Sequence, residues 1–113
     1  MAKLNSQILA TDPVLGEMVH RLVDSLHPEQ IYLFGSRARS EATPESDYDL
    51  MIIVPTATLP SYRRNQLAFR VLCGIPASKG VIVVTRQEFE QKKKVLCSLP
   101  ATVLREGKIL YEA

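Results

Sequence analysis

Apolar residues recur at helical spacing near the start of the chain and predict an amphipathic helix. Asp12 suits the N-cap, and Pro13 suits the first turn, where its missing N–H would have no helical partner. Pro28 ends the helix, because proline cannot continue one. The apolar residues share one face, which we expect to pack against a core: Leu15, Met18, Val19, Leu22, Val23 and Leu26.

Three short apolar runs further along the chain predict strands, with helical segments between and after them. The predicted strands are Ile31–Phe34, Asp49–Val54 and Val81–Val84, of which the last two are apolar on both faces. Strands that alternate with helices indicate an α/β domain with one sheet. Strands that are buried on both faces require helices on both sides of the sheet centre.

The remaining boundaries come from capping and turn residues. Thr85 and Glu88 have the spacing of a capping box, which places a helix after the third strand. Gly107 suits the end of the last helix, because glycine is common just past a helix end. The further predicted elements are a turn or short helix over 37–41, a helix that Pro60 and Ser61 open and that stops near Gly74, the helix Glu88–Leu96, a short helix Pro100–Glu106, and an edge strand Lys108–Tyr111.

Length and composition favour a single small globular domain over residues 1–113. The chain is 46% hydrophobic and 23% charged, which fits one core and argues against disorder. No apolar run approaches the about 20 residues that a membrane helix needs. The first ten residues lack the apolar stretch of a secretory signal, so we expect a cytoplasmic protein without membrane contact.

Charge and cysteine usage argue against two other classes of function. The formal net charge of +2 is too small to indicate nucleic-acid binding, and Lys92–Lys94 are expected on a solvated helix face. Cys73 and Cys97 lie far apart and form no metal-binding motif with histidine, so neither a zinc site nor a disulfide is expected. Both should be small, half-buried apolar residues.

Two acids stand at the entrance of the second predicted strand. Residues two apart on a strand point the same way, about 6–7 Å apart, so Asp47 and Asp49 can aim both carboxylates at one point. A pair of hard oxygen ligands suits Mg²⁺, which binds through one or two carboxylates, waters and substrate phosphates. Asp-x-Asp at a strand start is also common as turn chemistry, so the pair alone leaves both interpretations open.

A glycine–serine pair directly follows the first predicted strand. Gly35 would let a phosphate approach the backbone, and the Ser36 hydroxyl could donate a hydrogen bond to it. Arg37 and Arg39 add positive charge nearby. Such a pair is usually only a turn. A phosphate site and a carboxylate pair a short loop apart, however, together favour binding of a metal-bound nucleoside triphosphate.

The motifs LFGSRAR at 33–39 and SDYDL at 46–50 closely resemble the signature of the minimal nucleotidyltransferases. These are the smallest members of the DNA polymerase beta-like superfamily. The resemblance continues with lower specificity through VVT at 83–85 and LREGKILY at 104–111, and so covers nearly the whole chain. It implies the fold of that superfamily, a single α/β domain with a mixed β-sheet and flanking helices.

The resemblance also implies a site, a reaction and a partner. The reaction would move a nucleoside monophosphate, usually AMP from ATP, and release pyrophosphate. Family members often act as antitoxins beside a small helical HEPN toxin, so we expect the acceptor hydroxyl on such a partner; self-association stays open. The implied site consists of Asp47 and Asp49 as catalytic ligands of Mg²⁺ (or Mn²⁺), with Gly35, Ser36, Arg37 and Arg39 around the nucleotide.

The chain departs from the family pattern at two positions, of which Ser40, in place of the glycine usual after the second arginine, is the smaller departure. The family carries a third carboxylate on the third strand, and alignment on Thr85 places Gly80 there. Glu41, Glu45 or a partner could supply the acid, or Lys79 could neutralise the two aspartates without metal. A general base contributes roughly 10²–10⁴-fold, so two functions stay open. One is a slow enzyme, and the other is a degenerate domain that occludes its partner.

Other polar residues are predicted to have structural roles. Tyr48 lies between the two aspartates and should point to the opposite face of the sheet, into the core. His20 and His27 are expected on the surface of the first helix. Arg63 and Arg64 could meet a partner, but a solvated face of the second helix is the preferred interpretation.

Overall fold

Short strands and helices alternate along the part of the chain that the computed structural model describes, residues 3–39, 43 and 46–113. In chain order they are β1 (Lys3–Leu4), α1 (Ser6–Thr11), α2 (Pro13–Leu26), β2 (Gln30–Phe34), β3 (Tyr48–Val54), α3 (Ser61–Val71), β4 (Lys79–Thr85), α4 (Arg86–Lys92), α5 (Leu99–Glu106) and β5 (Lys108–Glu112).

The strands form one mixed sheet within these residues. Its five strands lie in the order β1-β5-β2-β3-β4. The pair β3 and β4 is parallel, and each of the other neighbouring pairs is antiparallel. Since parallel strands need a crossover connection, α3 links β3 to β4.

Helices cover both faces of this sheet. On one face, α2 and α3 pack against a cluster that includes Leu50 of β3. On the other face, Phe89 of α4 and Val103 of α5 pack against a cluster that includes Met51. Successive residues of β3 therefore enter different halves of the core, as the pleat of a strand requires. The predicted α/β class, the mixed sheet and its two helical layers are confirmed.

The first helical pattern is correct, but two elements precede it. The Asp12 side chain accepts a hydrogen bond from the Leu15 N–H at 3.1 Å, and Pro13 occupies the first turn of α2. The helix ends at Leu26, and His27 adopts a left-handed conformation with φ of 47° before Pro28. Neither β1 nor α1 was predicted. β1 has two residues, and its only sheet partner, β5, lies at the other end of the sequence.

Two predictions near the C-terminus were wrong in their boundaries or position. The helix predicted over Glu88–Leu96 begins at Arg86 and ends at Lys92. It begins earlier because Thr85 is the N-cap of a complete capping box with Glu88. It ends earlier because the Ser98 hydroxyl donates to the Lys92 carbonyl oxygen at 2.5 Å and the chain turns into α5. The predicted edge strand β5 lies inside the sheet, because β1 pairs with its outer side.

The two cysteines lie on the surface. Cys73 and Cys97 are free and exposed, so the prediction of half-buried side chains was wrong. Each lies in a turn that follows a helix, where the backbone has left the core. Among the described residues, no helix combines the length and the apolar character that crossing a membrane would require.

Candidate functional site

Three chain segments meet at the edge of the sheet that is formed by strand ends, not by an edge strand. β2 ends at Phe34, β3 begins at Tyr48, and β4 begins at Lys79. Because β2 and β3 are antiparallel while β3 and β4 are parallel, the end of the first and the starts of the others lie side by side. Asp49 is the central residue of this edge, since it pairs with Phe34 on one side and with Gly80 on the other.

The Asp49 carboxylate lies in a gap between two glycines. A Cβ atom added at Gly35 would lie 2.4 Å from Asp49 Oδ2, and one added at Gly80 would lie 3.1 Å from Asp49 Oδ1. Gly35 also has a φ of 76°, a conformation that side-chain-bearing residues rarely adopt. Gly35 therefore has to lack a side chain for this carboxylate to stay where it is, whereas a side chain at position 80 would require only a small shift of the carboxylate.

The charge of Asp49 is poorly compensated by the protein. Burial raises the pKa of Asp49, and the neighbouring Asp47 carboxylate raises it further. Among the described residues, no side chain forms an ion pair or hydrogen bond with the Asp49 carboxylate. Asp47 is exposed, so the pair opens to solvent on its outer side. Two adjacent acids with no protein cation between them fit a divalent cation that completes its shell with water and phosphate oxygens.

A tight turn over 35–39 closes the other side of the site. The N–H groups of Ala38 and Arg39 both donate to the Gly35 carbonyl oxygen, at 3.1 and 3.2 Å. The segment is therefore a turn, as predicted for 37–39; residues 40–41 of that prediction lie outside the described residues. Since those two N–H groups are already used, any phosphate bound here would contact the Gly35–Ser36 end of the turn.

The two arginines of the motif connect this turn to other described parts of the domain. The Arg37 guanidinium carbon lies 3.8 Å from the centre of the Tyr48 ring, and its Nε donates to the Ser46 carbonyl oxygen at 3.0 Å. Arg39 Nη1 lies 3.9 Å from a carboxylate oxygen of Glu106, at the end of α5. The Arg37 contacts link the turn to the start of β3, and nucleotide binding by either arginine stays a prediction.

Comparison with known proteins identifies the domain. The sequence profile described as a nucleotidyltransferase domain matches residues 17–109. The chain belongs to this family. No curated protein sequence matches the chain.

Solved structures with the same fold include a candidate nucleotidyltransferase and toxin–antitoxin complexes. A candidate nucleotidyltransferase from Sulfolobus solfataricus is 25% identical with a TM-score of 0.57, over 70% of each chain. A toxin–antitoxin complex with AMP-PNP is 23% identical with a TM-score of 0.62, over 87% of this chain and 73% of that chain. A mutant of the toxin–antitoxin pair MntA-HpeT is 24% identical with a TM-score of 0.60, over 88% and 72%. The predicted nucleotidyltransferase fold is confirmed.

In this nucleotidyltransferase domain, the position that the resemblance aligned with a third carboxylate lies beside Asp49. This position is Gly80, which is the direct sheet partner of Asp49. Within the described ranges 3–39, 43 and 46–113, no group of three or more acids, histidines or cysteines could hold a metal. Glu41 and Glu45, the proposed substitutes, lie outside those ranges.

The predicted lysine substitute was wrong. Lys79 Nζ donates to the carbonyl oxygens of Ile75 and Ala77, each at 3.1 Å, and so closes the turn before β4. The cause is the pleat of the strand, because Lys79 and Gly80 are consecutive and point to opposite faces. A side chain at position 79 therefore starts on the face opposite to the one that Gly80 shares with Asp49.

Among the remaining predictions for polar side chains, those for the tyrosine and the histidines are confirmed and the one for Arg64 is wrong. Tyr48 is buried as predicted, and its hydroxyl donates to Asp12 Oδ2 at 2.8 Å, tying β3 to the N-cap of α2. His20 and His27 are exposed as predicted. The prediction for Arg64 was wrong: it is buried and donates two hydrogen bonds to Glu88, at 3.0 and 3.1 Å. The one signal for this was spacing, since Arg64 precedes the buried Ala68 by four residues on α3.

Proposed function

We propose that this domain transfers a nucleoside monophosphate, AMP from ATP, to a hydroxyl group of a partner protein in the presence of Mg²⁺. One observation carries the proposal: the Asp49 carboxylate lies between Gly35 and Gly80, beside the Asp47 carboxylate, at an edge that opens to solvent. A structural aspartate would be paired or hydrogen-bonded by the protein. A carboxylate pair left without such partners by the described residues suits a metal-dependent reaction instead.

The chain's own residues would bind and orient the nucleotide. Asp47 and Asp49 would hold Mg²⁺ (or Mn²⁺), which when bound neutralises phosphate charge and aligns the triphosphate. The absence of a side chain at Gly35 would let the triphosphate lie against the turn, and the Ser36 hydroxyl would donate to a phosphate oxygen. These roles place the α-phosphorus next to the Asp49 edge, where an acceptor can approach.

The transfer itself would be a direct displacement at phosphorus. The acceptor oxygen forms a bond to the α-phosphorus, the bond to the bridging oxygen of the β-phosphate breaks, and pyrophosphate leaves with that electron pair. The acceptor loses its proton to water, because Gly80 offers no base next to Asp49. Since a general base typically contributes roughly 10²–10⁴-fold, we expect slow turnover rather than none.

The acceptor is proposed to be a helical toxin protein of the HEPN type. Two structures with this fold are of toxin–antitoxin complexes, one of them with AMP-PNP. The described residues form one small α/β domain, and no separate acceptor-binding module lies among them. A protein acceptor would therefore have to bind to the surface of the domain and present its hydroxyl at the Asp49 edge.

Labelled ATP tests the reaction directly. The chain and the product of the neighbouring reading frame are incubated with ATP labelled on the α-phosphate and with Mg²⁺, and label is followed on both proteins. We expect label on the partner, and none with Asp47→Asn combined with Asp49→Asn. Asp24→Asn is the matched control, because Asp24 is an exposed aspartate on α2. Equal labelling by the double variant and the control would refute the proposal.

Gly80 favours a second candidate function, neutralisation of the partner by occlusion. A domain without a base beside Asp49 could bind its partner and block it while transferring AMP slowly or not at all. Toxin neutralisation that is unchanged in the double aspartate variant would support occlusion. In the catalytic case, Gly80→Asp should increase labelling, although its Cβ would lie 3.1 Å from Asp49 Oδ1 and the carboxylate would have to shift slightly.

A further inference from the structure

Positive charge is concentrated in the segment 50–87, which runs from β3 through α3 and β4 into the first turn of α4. From Leu50 to Gln87 the sequence contains no aspartate or glutamate, but it contains five cations: Arg63, Arg64, Arg70, Lys79 and Arg86. The rest of the chain carries nine lysines and arginines against twelve acids. The small overall charge of +2 therefore hides an uneven distribution, and uneven charge of this kind is a signal for an interaction partner.

Three of these cations already have partners inside the protein. Arg64 pairs with Glu88, Arg86 pairs with Glu29 and Glu90, and Lys79 binds two carbonyl oxygens. Two cations remain, Arg63 and Arg70, and both are exposed on α3. Among the described residues, no acid forms an ion pair with either of them.

Two exposed aromatic rings accompany these arginines. Tyr62 is 61% exposed and Phe69 is 45% exposed. Tyr62 and Phe69 are seven residues apart, as are Arg63 and Arg70, so each pair lies on one side of α3 at a separation of about 10 Å. Aromatic residues and arginines are the side chains that contribute most to protein–protein interfaces. We call these four residues the α3 surface.

The α3 surface leads to the candidate site. A groove of about 290 Å³ lies between Arg63, Gln66 and Arg70. A second groove, of about 650 Å³, begins at Phe69 and Arg70 and reaches Lys79. Lys79 precedes Gly80, the sheet partner of Asp49. Lys79 lies at the same end of the sheet as the two aspartates, although its side chain starts on the opposite face. A molecule seated along α3 would therefore reach the strand ends from the face opposite to the Asp49 carboxylate.

We infer that the α3 surface is the docking site of the partner protein, and that this partner presents acidic side chains around an apolar contact. The inference rests on the proposed function for the existence of a partner, and it adds the surface and its chemistry. Docking here would hold the partner at the same end of the sheet as Asp47 and Asp49, so that a segment of the partner could carry its acceptor hydroxyl round the strand ends to them.

Two other occupants fit the surface less well. Nucleic acid is disfavoured because two unpaired arginines are few compared with the six to ten phosphate contacts that give strong, salt-dependent binding. A second copy of the chain is disfavoured because a symmetric pairing of α3 with α3 would bring the arginines of the two copies, Arg63 and Arg70, close together, and these like charges would repel. A protein with acidic residues complements both the arginines and the rings between them.

Charge reversal on α3, compared with a matched reversal elsewhere, tests the inference. The test pair is Arg63→Glu with Arg70→Glu, and the control pair is Lys92→Glu with Lys94→Glu, which makes the same charge change at exposed positions near the end of α4. Binding to the neighbouring gene's product is measured by calorimetry at low and moderate salt. We expect the test pair to weaken binding about 100-fold and the control pair to change it less than about threefold.

The aromatic residues provide a second measurement that does not depend on charge. Tyr62→Ser with Phe69→Ser should weaken binding by about tenfold or more at every salt concentration, while circular dichroism shows the same helix content as in the unchanged protein. Equal binding by the control, the charge-reversed and the aromatic variants would overturn the inference. Binding of a labelled single-stranded RNA that the arginine reversal abolishes, or a dimer that it dissociates in sedimentation, would also overturn it.

Failure of the docking surface can be distinguished from failure of the proposed function. If the partner binds through α3 but receives no label, the docking surface stands and the catalytic proposal fails. If label is transferred normally by both α3 variants, the catalytic proposal stands and the docking surface is wrong. If the unchanged chain does not bind the partner, both the docking surface and the choice of partner are overturned.

Discussion

Replacing Gly35 with alanine should destabilise the protein more than the same change at Gly74. Both glycines have positive φ, 76° at Gly35 and 91° at Gly74. They differ in their surroundings: a Cβ at Gly74 would meet nothing within 4 Å, while one at Gly35 would lie 2.4 Å from Asp49 Oδ2. Gly74→Ala therefore measures backbone strain alone, and Gly35→Ala measures the same strain plus the contact with Asp49.

The expected magnitudes follow from these two terms. A left-handed conformation costs a non-glycine residue about 1–2 kcal/mol, which is the expected loss for Gly74→Ala. Forcing an atom into a filled position costs a further 1–3 kcal/mol or so, giving a total of about 2–5 kcal/mol for Gly35→Ala. The free energy of unfolding is measured by urea denaturation followed by circular dichroism, because the chain has no tryptophan.

A double-mutant cycle isolates the contact with Asp49. In an Asp49→Ala background the carboxylate is gone, so the excess cost of Gly35→Ala over Gly74→Ala should disappear. The same Gly35→Ala variant should also lose Mg²⁺-dependent ATP binding when Asp49 is present. If the two glycine variants cost the same, or if the excess persists without the Asp49 carboxylate, our account of how this edge is built is refuted.

Three further predictions concern charges and hydrogen bonds around the site. Because the pKa of Asp49 is raised in the folded state, its ionised carboxylate destabilises the folded protein at pH 7. This destabilisation disappears below the ordinary aspartate pKa of 3.8, where the carboxyl group is protonated in both states. Asp49→Asn should therefore raise the melting temperature at pH 7 and leave it unchanged near pH 3; a gain independent of pH would contradict this. Glu88→Gln should lower the free energy of unfolding, measured by urea denaturation, by about 2 kcal/mol, because it leaves the buried Arg64 without its ion pair. The loss should not be larger, because the Glu88 carboxylate is partly exposed. Arg64→Leu should cost less, and the reverse order would contradict that reasoning. Tyr48→Phe removes the hydrogen bond to Asp12 and should cost about 0.5–1.5 kcal/mol, and no measurable change in unfolding free energy would show that this bond contributes nothing.

The sequence predicted the parts of the fold that depend on local patterns. The face of α2 follows from apolar spacing, and its start follows from Asp12 and Pro13, because each cap acts within one turn. The pairing of Asp49 with Gly80 was not predicted, because it depends on the register of β3 and β4, which two separate apolar runs do not fix.

The parts that were missed depend on contacts between distant segments. β1 has no pattern of its own, since a two-residue strand is defined only by its pairing with β5. Arg64 was misplaced because its burial requires Glu88, which the sequence separates from it by 24 residues. The alternative in which Lys79 neutralises the aspartates came from its proximity in sequence, but side-chain direction along β4 turns it away. In each case the deciding partner lies outside the window that a sequence pattern covers.

The topology explains why a change at Gly80 alters the chemistry of the site more than it alters the fold. The edge with Asp49 at its centre exists because β2 ends where β3 and β4 begin, an arrangement set by buried apolar residues along the strands rather than by the acids. An acid at position 80 would add a like charge beside Asp49, whose pKa is already raised by burial and by Asp47. Without that acid, the metal-free domain avoids further repulsion but has no base at this point. Glycine at position 80 should therefore stabilise the metal-free form relative to an acid there, and it would slow the proposed transfer because no base lies beside Asp49 at this position.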